Sequence, residues 1–224
     1  MTTDAFRPSR RGFLAGGAGL AGMTLAGCSM DGLRTISDPA PRFSQYYLDM
    51  YGPLPDERFP VPAIDLSKLD PTMFRTQVAD PTGERPGTIV VNTSERHLYL
   101  VQEGGQAIRY GVGIGREGFA WSGRAYVGRK AMWPTWTPPI EMQQRQPETQ
   151  QYANGMPPGL TNPLGARAMY IYQNGRDTLY RLHGTLETAS IGQAVSSGCV
   201  RLLFHDIIDL YGRCPVDTPI VVNT

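Results

Sequence analysis

From Gly87 to Asn223 the chain is a succession of short β-branched and aromatic runs broken by turn residues, and this pattern constrains its fold more than any other feature. The runs fall at 88–92, 97–102, 107–114, 126–133, 168–173, 178–183 and 219–223. Glu103-Gly104-Gly105 and Asn174-Gly175 are among the breaks. The second lies between two aromatic-rich runs and signals a hairpin, because a type I′ turn needs positive φ at both central residues. One helix is expected over 204–211, where Phe204, Ile207, Ile208 and Tyr211 recur at helical spacing. At 224 residues and 41% hydrophobic content, the chain buries one proper core and has little room for a second. The expected fold is therefore mostly β, with a few short helices.

The rest divides by composition. Residues 29–86 carry nine prolines and few long apolar runs, which reads as a Pro-rich tether and N-terminal extension packing on the domain in places. Phe43, Tyr46, Tyr47 and Tyr51 read as its docking patch. The stretch 138–163 is rich in Gln, Pro and Gly, and loops of that length inside a domain are usually lids or binding loops.

Ser9-Arg10-Arg11-Gly12-Phe13-Leu14, then a small-residue apolar stretch ending in Leu25-Ala26-Gly27-Cys28, gives a charged region, an apolar region and a cleavage site in order. The paired arginines resemble a twin-arginine export signal, and Leu-Ala-Gly-Cys resembles a lipobox with Cys28 as the lipid-bearing first mature residue. Gly12 to Gly27 is sixteen residues, short of the roughly 20 that span a bilayer. The expectation is a signal segment over 1–28 and a periplasmic or cell-envelope location, with membrane contact only through an N-terminal lipid or signal anchor. Removing Asp4, Arg7, Arg10 and Arg11 with that segment turns the formal charge from +1 to −1. Without a basic cluster in the body of the chain, no nucleic-acid partner is expected.

Few residues can carry nucleophilic chemistry. Cys199 lies in Ser196-Ser197-Gly198-Cys199-Val200-Arg201, just ahead of the expected helix, and His183 ends a run in Leu182-His183-Gly184-Thr185. A thiol becomes a nucleophile beside a base or in a positive environment, and a helix N-terminus would add its dipole. Gly198 allows a tight turn that would aim backbone N–H groups at a substrate carbonyl as an oxyanion hole. His97 and His205 read as surface or packing residues, and Cys214 as unreactive. Trp121, Trp133 and Trp136 would line a groove or serve as strand-end packing. Arg201 would hold a substrate carboxylate, or pair with Asp206 or Glu187. No Cys/His cluster has metal-ligand spacing, so neither metal nor other cofactor is expected.

His183-Gly184 followed sixteen residues after the His by Ser196, Gly198, Cys199, Val200 and Arg201 resembles the signature of the YkuD-type L,D-transpeptidase catalytic domain, as do Asn162-Pro163-Leu164-Gly165, Ile191-Gly192 and the closing run 206–222. The likeness covers residues 87–223. It implies a β-sandwich or β-barrel-like domain and a cysteine acyltransferase acting on peptidoglycan stem peptides as donor and acceptor. Cys199 is then the nucleophile, His183 the general base and acid, and Gly198 the oxyanion-hole turn; Ser196, Ser197, Gly184, Arg201 and Trp136 would contact substrate. The products implied are 3,3 cross-links, or attachment of an envelope protein through its amine. Ser197 stands where the family often has His, which leaves His183 as the sole base. Two alternatives remain: an L,D-carboxypeptidase or amidase on the same fold, in which water resolves the thioester, and a non-catalytic lipoprotein that binds peptidoglycan. A papain-like peptidase fits poorly, because such enzymes place Cys before His.

Overall fold

The computed structural model describes residues 43–115, 122–196 and 199–223, the side chains of 195 and 196 excepted. The expectations for the signal segment, Cys28, Trp121, Ser197 and Gly198, and for the side chain of Ser196, lie outside what is described.

The alternating runs become strands: β1 (Thr76–Ala79), β2 (Ile89–Asn92), β3 (His97–Gln102), β4 (Gln106–Gly111), β5 (Ile114–Gly115), β6 (Gly123–Met132), β7 (Arg167–Gln173), β8 (Arg176–Thr185), β9 (Ala194–Ser196), β10 (Val200–Leu203) and β11 (Pro219–Asn223). Helices are few and short: α1 (Gln45–Met50), α2 (Ile140–Arg145) and α3 (Phe204–Arg213), with several 3-10 turns. Nine strands form one sheet in the order β1-β4-β3-β2-β11-β6-β7-β8-β10, while β5 and β9 pair separately. The pairs β2–β11 and β8–β10 are parallel and the other pairs of the large sheet antiparallel.

The sheet curls upon itself. Leu98 and Tyr110, from strands near one edge, share a buried cluster with Val200 and Leu202 from the other edge. Past β4, Gly113 exchanges both backbone hydrogen bonds with Arg201 of β10, at 2.9 and 2.8 Å. This contact nearly closes the sheet, and only glycine fits there, since a Cβ on Gly113 would strike the Ser190 carbonyl. The amphipathic helix α3 covers one mouth, burying Phe204, Ile207 and Leu210.

The Asn174-Gly175 turn joins β7 to β8 with both residues at positive φ, 51° and 75°, as the hairpin signal requires. Three strands were not legible beforehand: the edge strand β1, the short β9, and β10, which lies between Cys199 and α3.

The segment 43–75 wraps against the sheet and α3. Tyr51, Leu66, Leu69 and Phe74 are buried with Ile191 and Leu203, and Phe43 and Tyr47 pack against them. Tyr46 is exposed. The Tyr51 hydroxyl accepts from the Arg75 backbone N–H at 2.7 Å and donates to the fully buried Asp206 of α3 at 3.3 Å. Arg75 reaches Asp209 at 3.1 Å, and a His205 ring nitrogen meets the Gly52 carbonyl at 2.6 Å. Farther along, Glu57 accepts from the Trp133 indole at 2.8 Å and pairs with Arg167 at 2.5 Å. A carboxylate and two aromatic clusters thus fasten this belt to the domain.

Candidate active site

The strand register decides which side chains meet. In β8 and β10, Val200 lies opposite Leu182 and Arg201 opposite His183. Val200, Leu202 and Leu182 enter the main core. Since successive side chains of a strand point to opposite faces, Arg181, His183 and Arg201 take the outer face, and Cys199, one residue before β10, continues it beside Arg181. His183 and Cys199, sixteen residues apart in sequence, thereby come onto adjacent strands of one face. Ala168 faces His183 from β7, and its small size leaves room for the imidazole.

His183 is buried, and its Nδ1 lies 3.2 Å from the Gly184 carbonyl. A carbonyl can only accept, so Nδ1 carries the proton and Nε2 keeps its lone pair. Burial lowers the imidazole pKa from its ordinary 6.5 to about 4; the Gly184 and Pro163 carbonyls oppose that shift, and the charges of Arg201 and Arg181 reinforce it. At neutral pH His183 is a neutral base.

Two glycines and an asparagine set its surroundings. Gly184 packs on Phe204, and Gly165, at φ 63°, packs on both Phe204 and the Gly184 carbonyl, so a Cβ at either position would collide. Asn162 is buried at the return of the flap that joins β6 to β7. Its amide nitrogen bonds the carbonyls of Pro134, Met156 and Pro157 at 3.0–3.2 Å, and its oxygen accepts from Leu164 N–H at 2.9 Å. It thereby ties both arms of the flap together and fixes Pro163 beside His183. Within the flap Trp136 bridges Met156 and sits 6.2 Å from the Tyr152 ring. Trp133 is core, packed on Phe59 and Phe204.

The thiol environment differs from the expectation in one respect. Four residues of β10 separate Cys199 from α3, which starts at Phe204. A helix dipole acts within its first turn, so it does not supply the positive environment expected for this cysteine. Burial raises the Cys199 pKa, whereas the Arg181 backbone N–H and the charges of Arg181 and Arg201 lower it. The cations come from strand alternation, not from a helix end. Cys214 is buried and pushed up to about 12. Arg201 pairs with Glu187 at 2.9 Å, one of the pairings anticipated. His97 meets the Thr72 carbonyl, and His205 packs on Tyr51.

Sequence reading passed over Arg129, Tyr170 and Arg181, which line the same face; the signal for Tyr170 and Arg181 was their outward position in alternating strands, and Arg129 gave none, because a break in register turns it out. Among the described residues no cluster of ligating side chains fits a metal ion, and no helix is long and apolar enough to cross a membrane. A cavity of about 540 Å³ lined by Leu100, Gln102, Arg213 and Cys214 holds neither Cys199 nor His183.

Probable L,D-transpeptidase YbiS of Escherichia coli is 38% identical over 136 residues, 58% of this chain and 42% of that protein. Probable L,D-transpeptidase ErfK/SrfK of the same species is 36% identical over 152 residues, 65% of this chain and 46% of that protein. The chain thus matches less than half the length of these curated relatives. A crystal structure of a Brucella melitensis protein called a probable carnitine operon oxidoreductase is 41% identical, covers 67% of this chain and 94% of that one, and has a TM-score of 0.49. That description belongs to that protein and does not carry over here. The family model of the YkuD L,D-transpeptidase catalytic domain matches residues 86–222, the span that holds the curled sheet apart from its edge strand β1, together with His183 and Cys199, and the chain belongs to that family.

Proposed function

We propose that this protein is an L,D-transpeptidase working through a thioester on Cys199. The observation that carries the reading is the β8–β10 register, which sets a neutral, buried His183 and Cys199 on one face. Cys199 sulfur attacks the carbonyl carbon at the L-centre of an L,D bond in a tetrapeptide stem while His183 Nε2 takes the thiol proton. The tetrahedral oxyanion is held by backbone N–H groups at the Gly198 turn. Its collapse breaks the C–N bond, and the terminal D-Ala amine leaves with the proton from His183. An amine of a second stem, or of an envelope protein, then attacks the thioester and gives its proton to His183. The new amide forms, and the sulfur regains the proton. Arginines 181 and 201 lower the cost of developing charge on the sulfur, and Gly184 and Asn162-Pro163 keep the imidazole oriented. The segment 1–28 is the export address, with a lipid on Cys28, which delivers the domain to the periplasm.

A strained β-lactam mimics the attacked amide, and a carbapenem should form one adduct per chain. Intact-protein mass spectrometry should map it to Cys199 and find none in Cys199→Ala. A folded protein whose thiol alkylates but takes no carbapenem would overturn the reading. Incubation with disaccharide-tetrapeptide, resolved by mass, should give cross-linked dimer; release of D-Ala with only tripeptide would make it a hydrolase.

A further inference from the structure

Arg129, Tyr170, Arg181 and Cys199 form a straight row across four neighbouring strands. Arg129 lies opposite Tyr170, Tyr170 opposite Arg181, and Cys199 falls beside Arg181 by continuation of the β8–β10 register. The Arg129 guanidinium lies 3.6 Å from the Tyr170 ring centroid and that of Arg181 lies 4.3 Å from it, so the tyrosine is flanked by two cations.

The cations differ in what neutralises them. Arg181 is held by both oxygens of Asp177, at 2.6 and 2.8 Å. The bulge that breaks register between Tyr170 and Tyr172, with Leu179 at φ 65°, brings Asp177 to it. Arg201 has Glu187. Arg129 is exposed and has no carboxylate partner among the described residues.

Arg129 reaches this face only through a second irregularity. Val127 is a core residue, and two positions on, Arg129 would also point inward in a regular strand. Register shifts between them, leaving Gly128 unpaired. Its missing side chain accommodates the Tyr172 ring, which a Cβ would strike. The bulge turns Arg129 out over Tyr170, the re-aiming that bulges near active sites perform.

We infer that Arg129, stacked on Tyr170 and backed by the Asp177-held Arg181, is the specificity residue for a carboxylate on the side chain of the donor residue attacked by Cys199. The inference rests on the proposed acyl transfer. The guanidinium of Arg129 lies over β7, two strand spacings from Cys199, about 10 Å. Part of that span is the thiol and the reacting carbonyl. A side chain of five or six bonds, about 6–7 Å when extended, ending in a carboxylate covers the rest. The donor residue selected is thus a long diacid; a side chain ending in an ammonium would bring a cation to three arginines. A guanidinium pre-stacked on an aromatic ring presents its fork to a carboxylate with little ordering cost.

The test uses the full chain carrying Cys199→Ala, and two tetrapeptide stems whose third residue ends in a free carboxylate or in the matching carboxamide. Calorimetry should show the carboxylate stem binding about ten- to hundredfold more tightly, the range of a partly solvated charge-assisted pair. Adding Arg129→Gln should bring the two within about threefold at unchanged melting temperature, while Arg129→Lys should keep part of the preference. Equal binding of both stems by the parent, no binding of either, or a preference that survives Arg129→Gln overturns the inference. A protein with intact Cys199 that shows the preference yet releases no D-Ala upholds the anion site and overturns the acyl-transfer reading instead.

Discussion

The two faces of β7, β8 and β10 are made from the same residues taken alternately, and they obey different rules. Inward, Met169, Ile171, Leu182, Val200 and Leu202 are sealed in one apolar cluster. Outward stand Tyr170, Arg181, His183, Cys199 and Arg201, where two cations and a thiol share the surface with a buried base. The inner face needs only apolar volume, and many side chains would serve. The outer face needs particular groups at particular registers, so the strands hold the site rigid while the core bears the cost of folding. A one-residue slip of β10 would exchange the faces and lose both core and site.

The comparison breaks most sharply at His183. His183→Ala should slow carbapenem acylation of Cys199 by about 10²–10⁴, the usual worth of a positioned general base, and leave the core intact by near-ultraviolet circular dichroism. Because the imidazole pKa lies at about 4, the acid limb of the wild-type acylation profile should fall near pH 4 and not near 6.5. A depressed folded pKa also means that the stability His183 contributes is present above 6.5 and is lost as pH falls through about 4. A limb at 6.5 would show the base to be solvated.

On the inner face, Leu182→Ala should cost about 2–5 kcal/mol by denaturant unfolding, through lost burial plus the cavity left behind. Acylation of the remaining folded fraction should change far less than in His183→Ala. If both variants lost rate equally, the two faces would not be separable.

The smallest effect belongs to the belt. Burial raises the Asp206 carboxyl to about 7, against the pull of Arg75 and the Tyr51 hydroxyl, and its Oδ1 has only Arg75 Nε at 3.7 Å. Folding therefore takes up a proton there, so that stability fully present below the unfolded value of 3.8 is lost as pH rises through about 7. Unfolding of the wild type between pH 4.5 and 8 should show a decline of about 1–3 kcal/mol that Asp206→Asn removes. Parallel stability profiles for the two proteins would show that Asp206 is not the group responsible.

Much of the molecule could be read from the chain alone. Short β-branched and aromatic runs bounded by turn residues marked β2, β3, β7 and β11 nearly to the residue, and the Asn174-Gly175 turn marked the hairpin between β7 and β8, because backbone sterics make both signals local. The pairing of His183-Gly184 with Gly198-Cys199 singled out two side chains, His183 and Cys199, that strand register brings onto one face, since few side chains do such chemistry and this chain has few of them. Tertiary structure decided the rest. Val200-Arg201-Leu202-Leu203-Phe204 is too short for its period to separate strand from helix, and only parallel pairing with β8 makes its first part β10, which removes the helix dipole from Cys199. Only long-range packing turns the proline-rich 43–75 segment into a belt, because Tyr51 and Phe74 find their buried partners Ile191 and Leu203 far away in sequence. The bulge at Gly128 inverts the alternation locally and the one at Leu179 draws Asp177 up to Arg181, and both can be recognised only against a neighbouring strand. That is why Arg129 and Asp177, unremarkable in sequence, come to stand beside Tyr170 and Arg181: side-chain direction in a sheet belongs to the pairing of strands, and pairing is not a property of any one segment.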